Sequence, residues 1–389
     1  MTLAGLVHEA RLIVCVGPGG VGKTTVAAAL ALWAARSGRR TLVLTVDPAR
    51  RLADALGVAQ LDDEPREVVL ESLGGPESPT GMLSAAMLDA PHSFDALMRR
   101  LAGDAAAESI FSNRAYRVFS RALARSHAQI AMERLHDAVS DGQYDLVVLD
   151  TPPVRSALEI LDAPERLTRV LDSGVVRWFI RPARGPLSRL LPRGSSAVAR
   201  LLGMLGSRRL VRELGAFFEV LTPLESVFRG RAHGVQALLR SPATGFVLVC
   251  TPSSTSLADA GVLTTELAQR GVNWSAAVLN RAFVAEGPGS LCPVVGRETG
   301  ESRASADLLA ERTGLSTALA ERVLDAIAVL RTRIAERNGL SEAAYRKLGY
   351  EPGVACELVR VPELDGNVCD LESLAALVGL LKEASEGGS

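Results

Sequence analysis

Eight consecutive residues, Gly17-Pro18-Gly19-Gly20-Val21-Gly22-Lys23-Thr24, have the types and spacing that holding a phosphate chain requires. They fit the pattern GxxxxGK[ST], in which glycines let successive backbone N–H groups converge on phosphate oxygens. The start of the helix that follows adds a favourable potential for anions. In this pattern Lys23 neutralises the β- and γ-phosphates and the Thr24 hydroxyl ligates magnesium. The expected ligands are therefore ATP and Mg2+, cradled by Gly17, Gly19, Gly20, Val21, Gly22, Lys23, Thr24 and Thr25. A glycine-rich turn that binds nothing is the plainer alternative. An apolar run before the loop and an alanine-rich stretch after it supply the strand-to-helix context that binding needs.

Two carboxylates stand where they could serve that ligand. Asp150 ends the apolar run Leu146–Leu149, the place from which P-loop enzymes hold the metal directly or through water. Asp47, in Asp47-Pro48-Ala49, closes an earlier apolar run and could orient or deprotonate a water facing the γ-phosphate. Each also has a plainer reading: Asp150 as a turn or cap, Asp47 as a helix N-cap followed by proline at the first helical position. Lys23 and Thr24 favour the metal-supporting reading of Asp150, whereas local sequence leaves Asp47 open between its two readings.

Positioning such residues calls for a particular frame. The apolar runs Leu12–Val16, Thr41–Val46, Leu146–Leu149, Phe246–Cys250, Ala276–Leu279 and Glu357–Val361 are too unbroken for half-exposed strands and too short for helices. Helical stretches such as Thr24–Ser37 and Leu257–Arg270 separate them, which predicts an α/β, doubly wound, mostly parallel sheet. Ligands in such sheets bind at the carboxyl ends of the strands. Those ends carry Gly17, Asp47, Asp150, Thr251, Asn280 and Pro362. Two segments, roughly 82–140 and 166–240, interrupt the alternation and read as helical. The predicted organisation is an ATPase core over 1–165 that includes the first, a helical subdomain over 166–240, and the rest of the core over 241–389.

Composition narrows the classes. Of 389 residues, 48% are hydrophobic and 22% charged, an ordinary globular mix. A formal charge of −1 gives no general attraction for nucleic acid or anionic membrane. No uncharged apolar run reaches the roughly 20 residues of a membrane span, and the first residues lack the pattern of a signal peptide. Cytoplasmic residence is expected. The five cysteines show no CxxC spacing and the histidines form no HxxxH or HExxH pair, so no metal is expected beyond the magnesium of the nucleotide. No G-x-S-x-G elbow is present either.

Taken together, Gly17–Thr25, Val46-Asp47-Pro48-Ala49-Arg50-Arg51-Leu52 and Asp150-Thr151-Pro152-Pro153 resemble the ArsA family. This family contains arsenite-pump ATPases and tail-anchored-protein targeting ATPases, within the deviant P-loop, MinD-like class. The resemblance extends through Ala131–His136, Leu161–Leu167, Val278–Arg281 and Val361-Pro362, and is narrowest toward single-unit actinobacterial members. It implies ATP hydrolysis by a nucleotide-dependent dimer, with Asp47 as the water-activating residue and Asp150–Pro153 as a switch toward a helical subdomain. Asn280 and Pro362 match positions that surround adenine. Four departures stand out. Pro18 replaces the family's first loop lysine, which reaches the partner's nucleotide. The zinc-clasp CxxC of the targeting ATPases has no counterpart here. Neither have the cysteines of the arsenite activator site. Arg155-Ser156 replaces a common Gly-His pair. A homodimer or a heterodimer with a related ATPase that supplies the missing charge both fit.

Segment 166–240 holds fourteen arginines, no lysine and four acids, a formal excess of ten positive charges. Apolar residues from Leu201 to Leu221 recur there at helical spacing. The segment could cradle a hydrophobic client or a membrane protein, could rest peripherally on anionic lipid, or could be a solvated rim around a face packed on the core. Two rivals remain beside a hydrolysing switch. One is a regulatory subunit that binds nucleotide with little hydrolysis of its own, and the other is a MinD-like membrane- or DNA-positioning ATPase.

Overall fold

Parallel strands buried on both faces need apolar side chains at every position, and the central strands have them. β1 (Leu12–Val16), β5 (Leu146–Asp150) and β6 (Thr244–Cys250) are buried at every residue. In the computed structural model they lie side by side in one sheet of eight strands, ordered β3-β4-β2-β5-β1-β6-β7-β8. The others are β2 (Arg40–Thr45), β3 (Arg66–Glu67), β4 (Met82–Met87), β7 (Ala276–Ala282) and β8 (Glu357–Pro362). All neighbours run parallel except β3, which pairs antiparallel with β4 at one edge. The structure describes residues 2–70 without 48, 81–88, 127–172 without 153, 225–282 without 273, 301–349, and 357–386 without 365 and 367. It also describes the single residues 99, 103, 108 and 111.

Helices cover both faces, as a doubly wound sheet requires. One face packs against α1 (Leu3–Glu9), α2 (Lys23–Arg36), α3 (Arg51–Ala55) and, near the end of the chain, a helix over Leu371–Glu386. The other packs against α4 (His127–Ser140), α5 (Val154–Asp172), α6 (Glu225–Leu239) and α7 (Ser254–Gln269). α8 (Glu301–Thr313) and α9 (Thr317–Gly349) pack on one another between β7 and β8, and the helix over Leu371–Glu386 is α10. In α2, eleven of fourteen side chains are buried, six of them alanines, and those small side chains let the sheet, α1 and α10 close on it from several sides.

Polar ties fix the lower edge of the sheet. The Arg39 guanidinium donates to the carbonyls of Val7, Ala10 and Asp145 at 2.6–2.7 Å, joining α1 to the entrances of β2 and β5. Its neighbour Arg40 pairs with the Asp145 carboxylate at 2.7 Å.

The sheet corrects one expectation. Segment 82–140 was expected to be helical, yet Met82–Met87 is a strand paired in parallel register with β2. Its small Ser84-Ala85-Ala86 centre has weak intrinsic strand preference, so neighbouring strands and the overlying helices, not propensity, place it there. Helix does follow, as α4. The helical hairpin of α8 and α9 breaks the alternation at a place where only the two earlier segments were expected to.

Residues 173–224 of the arginine-rich segment lie outside the described residues, and with them its whole apolar repeat from Leu201 to Leu221. Four of its five described arginines are ion-paired, among them Arg166 with Asp162 at 3.9 Å. Arg231 reaches Asp137 at 2.6 Å and Glu133 at 3.2 Å, both buried on α4. Arg229 bonds Asp172 at 3.1 Å and Glu225 at 2.9 Å, and Arg240 meets Glu165 at 3.4 Å. These arginines serve contacts within the fold, and the readings of the rest of the segment fall outside the described residues.

Gly81, just before β4, has no room for a side chain: a Cβ would come within 2.7 Å of the Ala35 and Arg39 carbonyls and the Arg39 amide. These are backbone atoms and cannot rotate away. Gly81→Ala is expected to destabilise the fold by about 1–3 kcal/mol, read as a lower urea midpoint at unchanged slope.

Candidate functional site

The loop between β1 and α2 has the backbone its glycines foretell. Gly20 and Gly22 have φ of 75° and 91°, which side chains other than glycine's rarely accept. Gly17 is required by space instead, since a Cβ there would stand 2.0 Å from the Val249 carbonyl oxygen. Gly22 is the N-cap of α2 and brings no capping side chain, so the first-turn N–H groups of that helix meet no side-chain acceptor of their own cap. Such a terminus accepts an anion.

Lys23 is buried and its Nζ donates to the Pro18 carbonyl at 2.7 Å. Burial pulls its pKa down, while Asp150 pushes back toward the charged form. Proline at position 18 removes a backbone donor and a side-chain charge but keeps its carbonyl, and the ammonium uses that carbonyl.

Asp150 is fully buried beside the loop. Its Oδ2 accepts from Thr24 Oγ1 at 2.7 Å and from Thr45 Oγ1 at 2.8 Å. Its Oδ1 is buried without a hydrogen-bond partner. Burial drives the carboxyl up to about 6, against the pull of both hydroxyls and of Lys23. A hydroxyl oxygen and an orphaned carboxylate oxygen side by side are hard ligands of the sort magnesium takes. The residues present therefore fit the ion that the loop pattern implies.

Asp47 follows β2. Its Oδ1 accepts from the Ala49 N–H at 3.0 Å, and its Oδ2 faces Arg51 at 3.6 Å. It thus shapes its own turn, though the N-cap of α3 is Arg50 and not Asp47 as the capping reading expected, and it remains at the same strand-end rim as Asp150. Its backbone N–H donates to Thr45 Oγ1 at 3.2 Å.

Asn280, at the end of β7, also joins this rim: its Nδ2 donates to the Val21 carbonyl at 2.8 Å, bracing the loop from the side. The next residue, Arg281, has φ 54° and donates its N–H to Asn280 Oδ1, so the irregularity in β7 orients the amide. Pro362 ends β8, opposite Ala282 on the far strand of the sheet, and takes no part in the bonds that link the loop, Asp150 and Asp47. One residue of the rim was not singled out from sequence: Thr45 links Asp47 and Asp150. Thr151, part of the Asp150–Pro153 motif, donates to the Cys15 carbonyl at 2.7 Å. A hydroxyl directly after the aliphatic run Leu42–Leu44, two residues before Asp47, was the available signal for Thr45.

Elsewhere, Cys15 and Cys250 are buried and Cys369 is exposed, and burial pushes the Cys250 thiol up to about 12. Among the described residues no cluster of three or more His, Cys, Asp or Glu could hold a metal ion, and no helix is long and apolar enough to cross a membrane.

Residues 10–306 match the family described as anion-transporting ATPase. An uncharacterized protein of Streptomyces coelicolor is 32% identical over 285 residues, covering 72% of this chain and 64% of its own length. A protein of Chlorobaculum tepidum, named as a candidate arsenical pump-driving ATPase, is 31% identical over 183 residues, 46% of this chain and 42% of its own. The ATPase GET3 of Malassezia globosa is 27% identical over 294 residues, 75% of this chain and 78% of its own. The chain thus spans less than two thirds of the first two relatives.

The raised carboxyl sets a pH dependence. Below about 6 Asp150 holds a proton that a cation must displace; above it the carboxylate is ready. Magnesium-dependent tightening of nucleotide binding is expected to be level above about pH 6 and to fall by up to tenfold per unit below it. Asp150→Asn should abolish both the tightening and its pH dependence, as read by titration with a fluorescent ATP analogue. Without ligand the sign is opposite: a raised carboxyl pKa stabilises the fold at low pH, and that stability is lost as pH rises through about 6.

Proposed function

The chain belongs to the ArsA family of anion-transporting P-loop ATPases, and from that premise we propose that it is a Mg-ATP-hydrolysing switch that works as a dimer. The observation that carries this reading is the convergence of Thr24 and Asp150 at 2.7 Å beneath the loop, with Asp150 Oδ1 left for a cation. Loop N–H groups and Lys23 bind the phosphates. When Lys23 turns to them, its bond to the Pro18 carbonyl is exchanged for bonds to a charged ligand, which are the stronger kind. Magnesium, when bound, supplies Lewis-acid stabilisation of charge on the phosphate oxygens. Thr24 and Asp150 would hold it. Asp47 orients the attacking water, its side chain being released from Arg51 as the γ-phosphate draws that exposed arginine away. Asn280 steadies the loop while one side of it faces the base.

Coupling runs from Asp150 through Thr151 and Pro152 directly into α5, whose far end leads to the arginine-rich segment. We assign that segment, 166–240, to a client or partner, hydrophobic in character, and the dimer to opening and closing with nucleotide state. Whether its subunits are like or unlike is left to measurement of mass. The names of the relatives speak of arsenical pumping for one and of ATPase activity for another. For this chain arsenite is not proposed, because two of the three described cysteines are buried within separate core strands.

One observation favours a second reading. Pro18 brings no charge to the place from which the family's first loop lysine serves a partner subunit, so the chain could bind nucleotide and depend on a related ATPase for turnover. Purified protein decides between the two. Lys23→Ala is expected to lose ATP binding by at least about a hundredfold, since a buried charge-assisted contact goes. Asp47→Asn should bind ATP normally and lose about 100- to 10,000-fold in turnover. Tight binding by the wild type without turnover would support the second reading, and normal turnover by Asp47→Asn would remove Asp47 from the chemistry.

A further inference from the structure

Asp47 and Asp150 sit on different strand ends, and a hydrolysing site needs them in one fixed relation. We propose that Thr45 is the positioning residue that sets it. This rests on the nucleotide reading above and adds to it a residue that the loop pattern does not contain.

Thr45 is buried at the end of β2, and strand register places it directly beside Asp150 on β5. A hydroxyl has one proton to give and lone pairs to receive with. Here the proton goes to Asp150 Oδ2 at 2.8 Å, and the Asp47 N–H is received at 3.2 Å. One atom thus joins the backbone of the residue that orients water to the carboxylate that supports the cation. The backbone repeats the link, with the Val46 N–H on the Asp150 carbonyl at 3.3 Å.

Thr24 reaches the same Oδ2 from the loop side. With two donors on Oδ2 the carboxylate plane is held from both flanks, and Oδ1 is the oxygen left over. A carboxylate held by one donor alone can turn about its broad χ2 torsion. Thr45 therefore decides which oxygen faces the cation, and its branched Cβ limits its own rotamers so that the hydroxyl is presented in one direction. Residues that orient a ligand from behind in this way are worth about 10- to 100-fold in metal affinity.

The test compares Thr45→Val, which keeps the shape and removes the hydroxyl, with Thr45→Ser, which keeps the hydroxyl and removes a methyl. Full-length protein is titrated with a fluorescent ATP analogue, with and without Mg2+, and circular dichroism and urea unfolding establish that each variant is folded. Thr45→Val is expected to bind the Mg2+-free analogue within about twofold of wild type and to lose about 10-fold or more of the tightening that Mg2+ gives. Thr45→Ser should recover most of that loss. Thr45→Ala serves if the valine variant does not fold, with the same expectation. A folded valine or alanine variant that keeps the full Mg2+ effect overturns the proposal. So does a serine variant as impaired as valine, because packing and not the hydroxyl would then be at issue. If wild-type protein shows no Mg2+-dependent binding at all, the nucleotide reading fails first and the role of Thr45 falls with it.

Discussion

A carboxylate without solvent is among the costliest groups a protein can bury, several kcal/mol unless it is compensated. Asp150 is such a group, and much of the chain is arranged around keeping it tolerable. Two hydroxyls from different elements bond one of its oxygens, and a buried ammonium stands near it. For the hydroxyls to arrive, β2 and α2 must approach β5 in a fixed register; for the ammonium to arrive, the loop must turn through three glycines. The remaining burial cost shows in the raised carboxyl, and the divalent cation proposed for this site would relieve it. A site strained in this sense gains more from its ligand than a relaxed one would, since binding removes a penalty as well as adding contacts.

The parts visible in sequence were those where one residue type answers one physical need. Glycines at 17, 20 and 22 met positions where space or φ excludes a side chain, and unbroken Val and Leu runs met strands covered on both faces. What escaped depended on neighbours. Ser84-Ala85-Ala86 becomes a strand because β2 lies beside it, and no property of those three residues announces that. Thr45 looks like one more strand residue until register sets it against Asp150. Asn280 could be placed at a strand end, but its grip on the Val21 carbonyl comes from a backbone irregularity two strands away from the loop. The hairpin of α8 and α9 arises from a stretch whose described side chains are largely exposed, so they carry little of the apolar periodicity by which packed helices are read.

The two faces of the sheet divide the work unequally. α2 is enclosed almost entirely, and with α1 and α10 it makes a rigid backing for the loop. The opposite face is built from longer helices whose mutual contacts include ion pairs: Arg231 between α4 and α6, and Arg270 between α7 and α5, the latter bonding Asp162 at 2.9 Å. Ion pairs between helices tolerate small slides that interlocked aliphatic packing resists.

Arg229 gives the chain a further property. It bonds Asp172 at the end of α5 and Glu225 at the start of α6, so the described residues on either side of segment 173–224 are tied together. Closing a longer segment between tied ends costs only about 0.6 kcal/mol for each doubling of its length. Descendants of this sequence can thus exchange, lengthen or trim what lies between the two helices without renegotiating the sheet.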